Sequence, residues 1–278
     1  QMCNLFVSLR PPSSRFSLIL LSLRDEVLSR PTAGAAWRNG ILSGIDLQDP
    51  AKGTWFGVNE KGQIGILLSI TQKREYKRSD VISRGGIVHD FLQSNKNGVD
   101  FCDSLIPSVT NYNGFTFVAI DRSSDGYNMH SVTNALVNDV RTLHWDQGPH
   151  VVGNCPPHAT YGKLTRGKML FNEFLQSIDD NITDYEIADK LLDIGNDKVE
   201  CWPDPQLQSQ VNEFDARGLS SIFIRYGGNP PIYGTRSQTA LIVSRDGNAF
   251  LRERRLISIE KNGNEDWETH DFSFNTNN

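Results

Sequence analysis

Met2-Cys3-Asn4-Leu5-Phe6-Val7-Ser8-Leu9 and Phe16-Ser17-Leu18-Ile19-Leu20-Leu21-Ser22-Leu23-Arg24-Asp25-Glu26 are separated by Pro11-Pro12-Ser13-Ser14, and the reading of this stretch decides the fold. Residues 3–9 and 16–23 read as two strands, because proline fixes φ, lacks a ladder donor and so places a turn between them. Folding them about residue 12 or 13 sets Cys3 opposite Leu23 or Arg24, where facing Cβ atoms lie about 4.5–5.5 Å apart. A thiol would then meet the charged group Arg24, Asp25 and Glu26 at the end of the second strand. A neighbouring guanidinium favours the thiolate, the form that attacks acyl carbon or binds metal. The same spacing also describes a small buried strand cysteine beside charges that merely end a strand.

Working outward, the second run is almost continuously apolar, so its strand is expected to be covered on both faces. Residues 53–59 and 63–71 read as a hairpin turning at Glu60-Lys61-Gly62, with Gly57 and Gly65 allowing close backbone approach. A helix is expected from Ser83 or Arg84 to Gln93, with Ile87, Val88, Phe91 and Leu92 on one side, and a shorter one over 99–109. Arg84-Gly85-Gly86 itself reads as a turn, with a helix N-terminus opening towards an anion as the lesser alternative. Strands follow at 115–120 and around His130 and Val132, while 134–148 stays undecided. The clearest helices are 161–177 and 182–194, with Leu164, Leu170, Phe174, Ile187 and Leu191 at helical spacing. Strands are then expected at 219–226, 235–244, 249–259 and 268–274, with Asp246-Gly247 and Asn262-Gly263 as turns. Arg252, Arg254 and Arg255 around Glu253 read as a charged sheet edge. Strands, a helical pair and strands again describe one α+β domain over residues 1–278.

The chain of 278 residues is 38% hydrophobic and 22% charged, enough for a substantial core. A formal net charge of -5 argues against a general nucleic-acid binder, whose footprint is a basic face. The densest basic run, Lys73 to Arg78, reads as a solvated loop, with contact to an anionic membrane surface as the lesser alternative. Cysteines 3, 102, 155 and 201 form no C-x-x-C pair, so neither a metal site nor a disulfide framework is expected. Reduced thiols fit a cytoplasmic setting. The apolar run over 16–23 mimics a signal peptide but is interrupted at Arg24, and no stretch approaches the about 20 apolar residues of a span. Gln1 ahead of Met2 is not expected in a native start; from Met2, methionine removal would leave a terminal Cys3.

Met2-Cys3, Arg24-Asp25-Glu26, Ser29-Arg30-Pro31 and Gly53-Thr54-Trp55-Phe56-Gly57 together resemble the NRDE-domain family, also called the transport and Golgi organization protein two family. Leu42-Ser43-Gly44, Tyr112-Asn113-Gly114-Phe115, Pro203-Asp204-Pro205, Tyr233-Gly234-Thr235-Arg236 and Trp267-Glu268-Thr269 extend the likeness over nearly the whole chain. The family's naming tetrad begins with asparagine where this chain has Leu23, so a polar role there is lost. The resemblance implies a four-layer αββα sandwich like that of N-terminal-nucleophile hydrolases. It implies Cys3 as nucleophile, Arg24 and Asp25 as its partners, Asn154 as an oxyanion donor and Arg236 as a late-strand electrostatic partner. An amidase activity does not follow from fold alone.

The resemblance further implies haem handling, in which haem is cargo mobilised from haem-rich compartments. Competing implications are a cysteine hydrolase acting on acyl-CoA or lipid-like substrates, and a non-catalytic Golgi organisation factor. The associated expectations are a cytoplasmic protein, extending to the mitochondrion or to peripheral contact with organelle membranes. For haem, Arg24 and Arg236 would face the propionates, with Asp25 and Glu26 in the same pocket. Cys155-Pro156 resembles the cysteine-proline motif of some reversible haem binders, with His150 and His158 flanking it. An inert loop cysteine fits the same two residues. Cys102, Cys201, Trp55, Trp202 and Trp267 read as packing residues.

Overall fold

The computed structural model describes residues 2–179 and 181–277, with residues 74, 213 and 214 described by backbone alone. From the N-terminus come strands β1 (Met2–Leu9), β2 (Phe16–Val27), β3 (Thr32–Arg38), β4 (Ile41–Asp46), β5 (Phe56–Asn59) and β6 (Ile64–Ser69). Helices α1 (Gly86–Gln93) and α2 (Gly98–Leu105) precede β7 (Phe115–Ser123), β8 (Gly126–Thr133), β9 (Thr142–Trp145) and β10 (Gly148–Val152). Four helices follow: α3 (Gly162–Ser177), α4 (Asp184–Gly195), α5 (Pro205–Gln210) and α6 (Glu213–Gly218). The chain closes with β11 (Arg225–Tyr226), β12 (Tyr233–Ser244), β13 (Asn248–Ile259) and β14 (Glu265–Asn275).

These elements make four layers. One antiparallel sheet has the order β10-β1-β2-β12-β13-β14, with β11 on β12, and the other runs β3-β4-β5-β6-β7-β8-β9. Strand alternation divides the apolar residues of β1 and β2 between two cores. Leu5, Val7, Leu9, Leu18 and Leu20 pack between the sheets against Leu42, Val58, Ile66 and Val118. Phe6, Ile19, Leu21 and Leu23 turn outward against Phe171 and Leu175 of α3 and Ile187 and Leu191 of α4. The opposite sheet is covered by Val88 and Phe91 of α1 and Phe101 and Leu105 of α2, packed on Phe115 and Phe117. An α+β, αββα sandwich results, and β2 is apolar on both faces because both faces are covered.

Local chemistry explains the close contacts. Gly57 and Gly65 lie directly opposite in the β5–β6 pair, and a Cβ on them would meet Leu92 at 2.8 Å and Val88 at 3.1 Å. The missing side chains let α1 settle on the sheet. Thr183 and Glu186 form a reciprocal capping box that starts α4, satisfying two backbone N–H groups.

The structure corrects several readings. β2 continues through Arg24, Asp25 and Glu26, so these charges are inside the strand and not at its end. The β3–β4 hairpin was not anticipated. Residues 219–226 are buried yet pair as a strand only at Arg225 and Tyr226, after two short helices. Their backbone finds other partners: the Phe223 N–H donates to the Asp197 carbonyl at 2.8 Å, and the Ile224 N–H to Thr235 Oγ1 at 2.9 Å. Burial had imitated a strand. α2 stops at Leu105 and a 3-10 turn carries the chain to Asn111, with Pro107 near its start where no N–H is needed. Finally, β13 is paired on both sides, so Arg252 and Arg255 face Asp271 and Glu268 across β14 and do not line an edge.

A backbone contact between Gly53 and Gly85 joins the segment before β5 to the start of α1. A Cβ on Gly53 would lie 2.3 Å from the Gly85 carbonyl carbon, and no rotamer relieves a clash with backbone. Gly53→Ala is therefore expected to cost about 2–3 kcal/mol, at the upper end of overpacking. Gly86→Ala, whose Cβ would have only Asp90 within 4 Å at 3.9 Å, is expected to be neutral or to gain about 0.5 kcal/mol. Urea-unfolding midpoints of the two variants check the contrast.

Candidate functional site

The β1–β2 ladder sets Cys3 opposite Arg24 and Met2 opposite Asp25. Alternation then puts Cys3 with the core between the sheets, together with Arg24, while Leu23 packs with the α3–α4 core. Arg24 is 1% exposed. Its Nη2 donates to Asp46 Oδ2 at 2.8 Å and lies 3.8 Å from Glu26, and the guanidinium stacks 4.1 Å over the Trp55 ring. Arg30 Nε reaches the same Asp46 oxygen at 2.7 Å. Trp55 is thus a core residue that also receives a cation.

Two further arginines converge here. Arg236 occupies a bulge between Thr235 and Ser237 and donates to the carbonyls of Arg30 and Val27. Burial, with Arg24 adding repulsion, lowers its pKa to about 10. Arg84 donates to the Gly114 carbonyl, and its charge acts on Cys3 and Glu26. In the sequence Arg84 belongs to Arg84-Gly85-Gly86, read as a turn with an anion-facing helix start as the lesser alternative, and nothing local ties it to Cys3 or Glu26. The Gly53–Gly85 contact and the bond to the Gly114 carbonyl hold it beside the cleft, within the field of Glu26.

The expectation about the thiol is half met. Cys3 does face Arg24, but its pKa is pushed up to about 12, first by burial and then by the Asp25 charge. Arg24 acts in the opposite direction without overcoming burial, its charge being shared with Asp46 and Glu26. The neighbouring guanidinium does not produce a thiolate.

Asn154 is wholly engaged. Its Oδ1 accepts the Cys3 N–H at 2.8 Å, and its Nδ2 donates to the Ser69 carbonyl at 2.5 Å. Its own carbonyl accepts the Thr71 N–H at 2.8 Å. The amide expected to hold an oxyanion instead ties β1 to the end of β6. Asp25 lies on the face of β2 away from Arg24, so the strand separates the two residues expected to act together. Burial raises Asp25 to about 6, with the Lys163 ammonium opposing that rise, and burial lowers Lys163 in turn.

A cleft of about 920 Å3 opens beside this cluster. Its lining includes Met2, Ile70, Val211, Leu219, Tyr226, Ile232 and Tyr233, with Lys73, Lys77 and Arg84 as cations and Glu75 and Asp215 as anions. Cys3 does not line it; Met2 stands between. Cys155 and His158 are not in the lining either. The Cys155 thiol is buried, donates to the Ala159 carbonyl at 3.2 Å and is pushed up to about 11 by burial, whereas His158 is exposed. His150 Nε2 is bonded to the Asp146 carbonyl at 2.6 Å. Among the described residues no group of three or more His, Cys, Asp or Glu side chains is arranged to hold a metal. Cys102 is core under α2, and Trp267 carries Arg254 over its ring at 4.5 Å.

The N-terminal thiol, the Arg24-Asp25-Glu26 segment and the partners that Trp55 and Arg236 provide coincide with the residues that carried the family resemblance. The sequence profile described as Transport and Golgi organisation 2 matches residues 2–258. The Transport and Golgi organization 2 homolog of Mus musculus is 29% identical over 98% of this chain and 99% of its own length. The Homo sapiens homolog is 30% identical over the same shares, and the Drosophila melanogaster protein 27% over 94% and 95%. The chain belongs to the Transport and Golgi organisation 2 family.

Proposed function

We propose that the protein is a non-covalent carrier of an acidic, largely apolar molecule, with haem as its first candidate cargo. One observation supports this reading above the rest: the cleft joins apolar walls from Ile70, Val211, Leu219 and Ile232 to the cations Lys73, Lys77 and Arg84. At about 920 Å3 it lies near the top of the usual range for small-molecule sites. A macrocycle or a folded acyl chain fits that space. Arg24 and Arg236 sit behind the lining and already serve Asp46 and backbone carbonyls, so the propionates fall to Lys73, Lys77 and Arg84. Cys155 and His158 take no axial role in this reading; the Met2 thioether is the lining group suited to weak ligation. The names of the relatives speak of transport and Golgi organization, which accords with a carrier working in the cytoplasm or beside organelle membranes. No helix among the described residues is long and apolar enough to cross a membrane.

The Cys3 N–H on Asn154 Oδ1 favours a second reading, a cysteine hydrolase. With Met2 removed, that nitrogen would be a terminal amine able to act as base, and the cleft floor would open towards Cys3. The thiol would attack a thioester carbonyl, the acyl group would pass to Sγ, and the departing thiol would carry the proton away.

Titration with haem is expected to give a saturable Soret change. Lys73→Glu combined with Lys77→Glu should weaken it about tenfold, as two charges at an exposed rim allow, and Val211→Trp should abolish it by filling the cleft. No saturable change in either redox state, with or without Met2, removes haem as cargo. For the hydrolase, the protein lacking Met2 is incubated with acyl-CoA and followed by intact mass; an acyl adduct on Cys3 or steady release of free CoA supports it, and an unmodified chain with no turnover eliminates it.

A further inference from the structure

We infer that Arg84 is an anion anchor at the inner end of the cleft, so that the cargo enters with a carboxylate foremost. The inference rests on the carrier reading and adds to it the orientation of the ligand and the group that selects it. Several partly buried arginines of this protein meet a carboxylate, Arg166 at Asp197 (2.6 Å), Arg225 at Glu265 and Arg255 at Glu268 (2.8 Å), whereas Arg38 and Arg236 bond backbone carbonyls. Arg84 lines the cleft and, among the described residues, has no carboxylate within ion-pair distance. Its contact is the neutral carbonyl of Gly114, which also lines the cleft and fixes the guanidinium against that wall.

Nearby charge does not neutralise it. Cys3 is a protonated thiol, and Glu26 is shared with Arg24, Arg30 and Arg236. The charge of Glu26 is felt by Arg24, Arg30 and Arg236 as well as by Arg84, while Asp46 is taken at hydrogen-bond distance by Arg24 and Arg30. A half-buried cation in such surroundings gains from a ligand acid, which can make charge-assisted hydrogen bonds to the planar guanidinium. Lys73 and Lys77 are exposed at the mouth, whereas Arg84 is largely withdrawn from solvent. The two sets of cations therefore make different demands on a ligand: the rim attracts, and Arg84 selects.

The experiment compares acid with ester in wild type, Arg84→Gln, Arg84→Lys and the Lys73→Glu/Lys77→Glu pair. Probes are haem against haem dimethyl ester, and a fluorescent long-chain fatty acid against its methyl ester. Wild type should prefer each acid at least about tenfold. Arg84→Gln should erase that preference, Arg84→Lys should keep part of it, and the rim pair should lower affinity while leaving the ratio intact. An unchanged ratio in Arg84→Gln, or loss of the ratio in the rim pair, overturns the assignment. Failure of haem with binding of the fatty acid would end the haem reading while the acid-to-ester ratio still reports on Arg84; failure of both probes overturns carrier and anchor together. Should Arg84→Gln not fold, the wild-type protein with a 13C-carboxyl fatty acid supplies the answer. An acid paired with the guanidinium is expected to titrate at least about one unit below the same acid free in solution, and a bound acid that titrates as it does free, or higher, contradicts the inference.

Discussion

A guanidinium enclosed between two β-sheets has to be neutralised where it lies, and Arg24 imposes that requirement on this fold. Its charge begins on β2 and ends on Asp46 at the close of β4 and on Trp55 just before β5, so it fastens one sheet to the other. Losing one partner would leave a buried charge uncompensated, a penalty of about 3–5 kcal/mol that is large beside total domain stability. Arg30 and Glu26 complete the neutralisation, and the β-bulge that admits Arg236 keeps a second cation within reach. Asn154 works in parallel by holding the start of β1 to the end of β6 through both ends of its amide.

This construction separates two features that a sulfur beside an arginine would ordinarily unite. The pairing of Cys3 with Arg24 is a matter of strand register, but reactivity depends on whether water and an uncompensated cation reach the sulfur. Here desolvation acts on the sulfur while Asp46 and Glu26 absorb the field of Arg24. The chemistry available to a ligand has moved next door, into a cleft whose floor is Met2 and whose cations belong to a different segment of chain. The carrier proposal draws its support from that division.

The α+β class and the need for cover on both faces were legible in the chain because their signals are local, whereas the four-layer arrangement was implied by the family resemblance. The almost continuous apolar run over 16–23 demanded cover on both faces, and glycines 57 and 65 marked a close approach that the structure assigns to α1. Turn position placed Cys3 opposite Leu23 or Arg24, and the ladder register selects Arg24. What escaped depended on distant contacts. Leu219 to Ile224 looked like a strand because burial was legible and the alternative backbone partners, Asp197 and Thr235, were not. Arg84 was legible only as part of the Arg84-Gly85-Gly86 turn or helix start, because its place beside the cleft involves a contact between Gly53 and Gly85, thirty-two residues apart in sequence. Cys155 carried two readings in the sequence, a ligand and an inert loop cysteine, and its thiol lies packed with Tyr161 and Leu164, outside the cleft lining.

The account turns on a sulfur that is present at the site yet silent. Its most direct test is alkylation of the folded protein by iodoacetamide near neutral pH, with each cysteine quantified by peptide mass spectrometry. The account predicts that the partly exposed Cys201 is modified while Cys3 stays unmodified until the protein is denatured. Rapid, stoichiometric modification of Cys3 in the native state would contradict it.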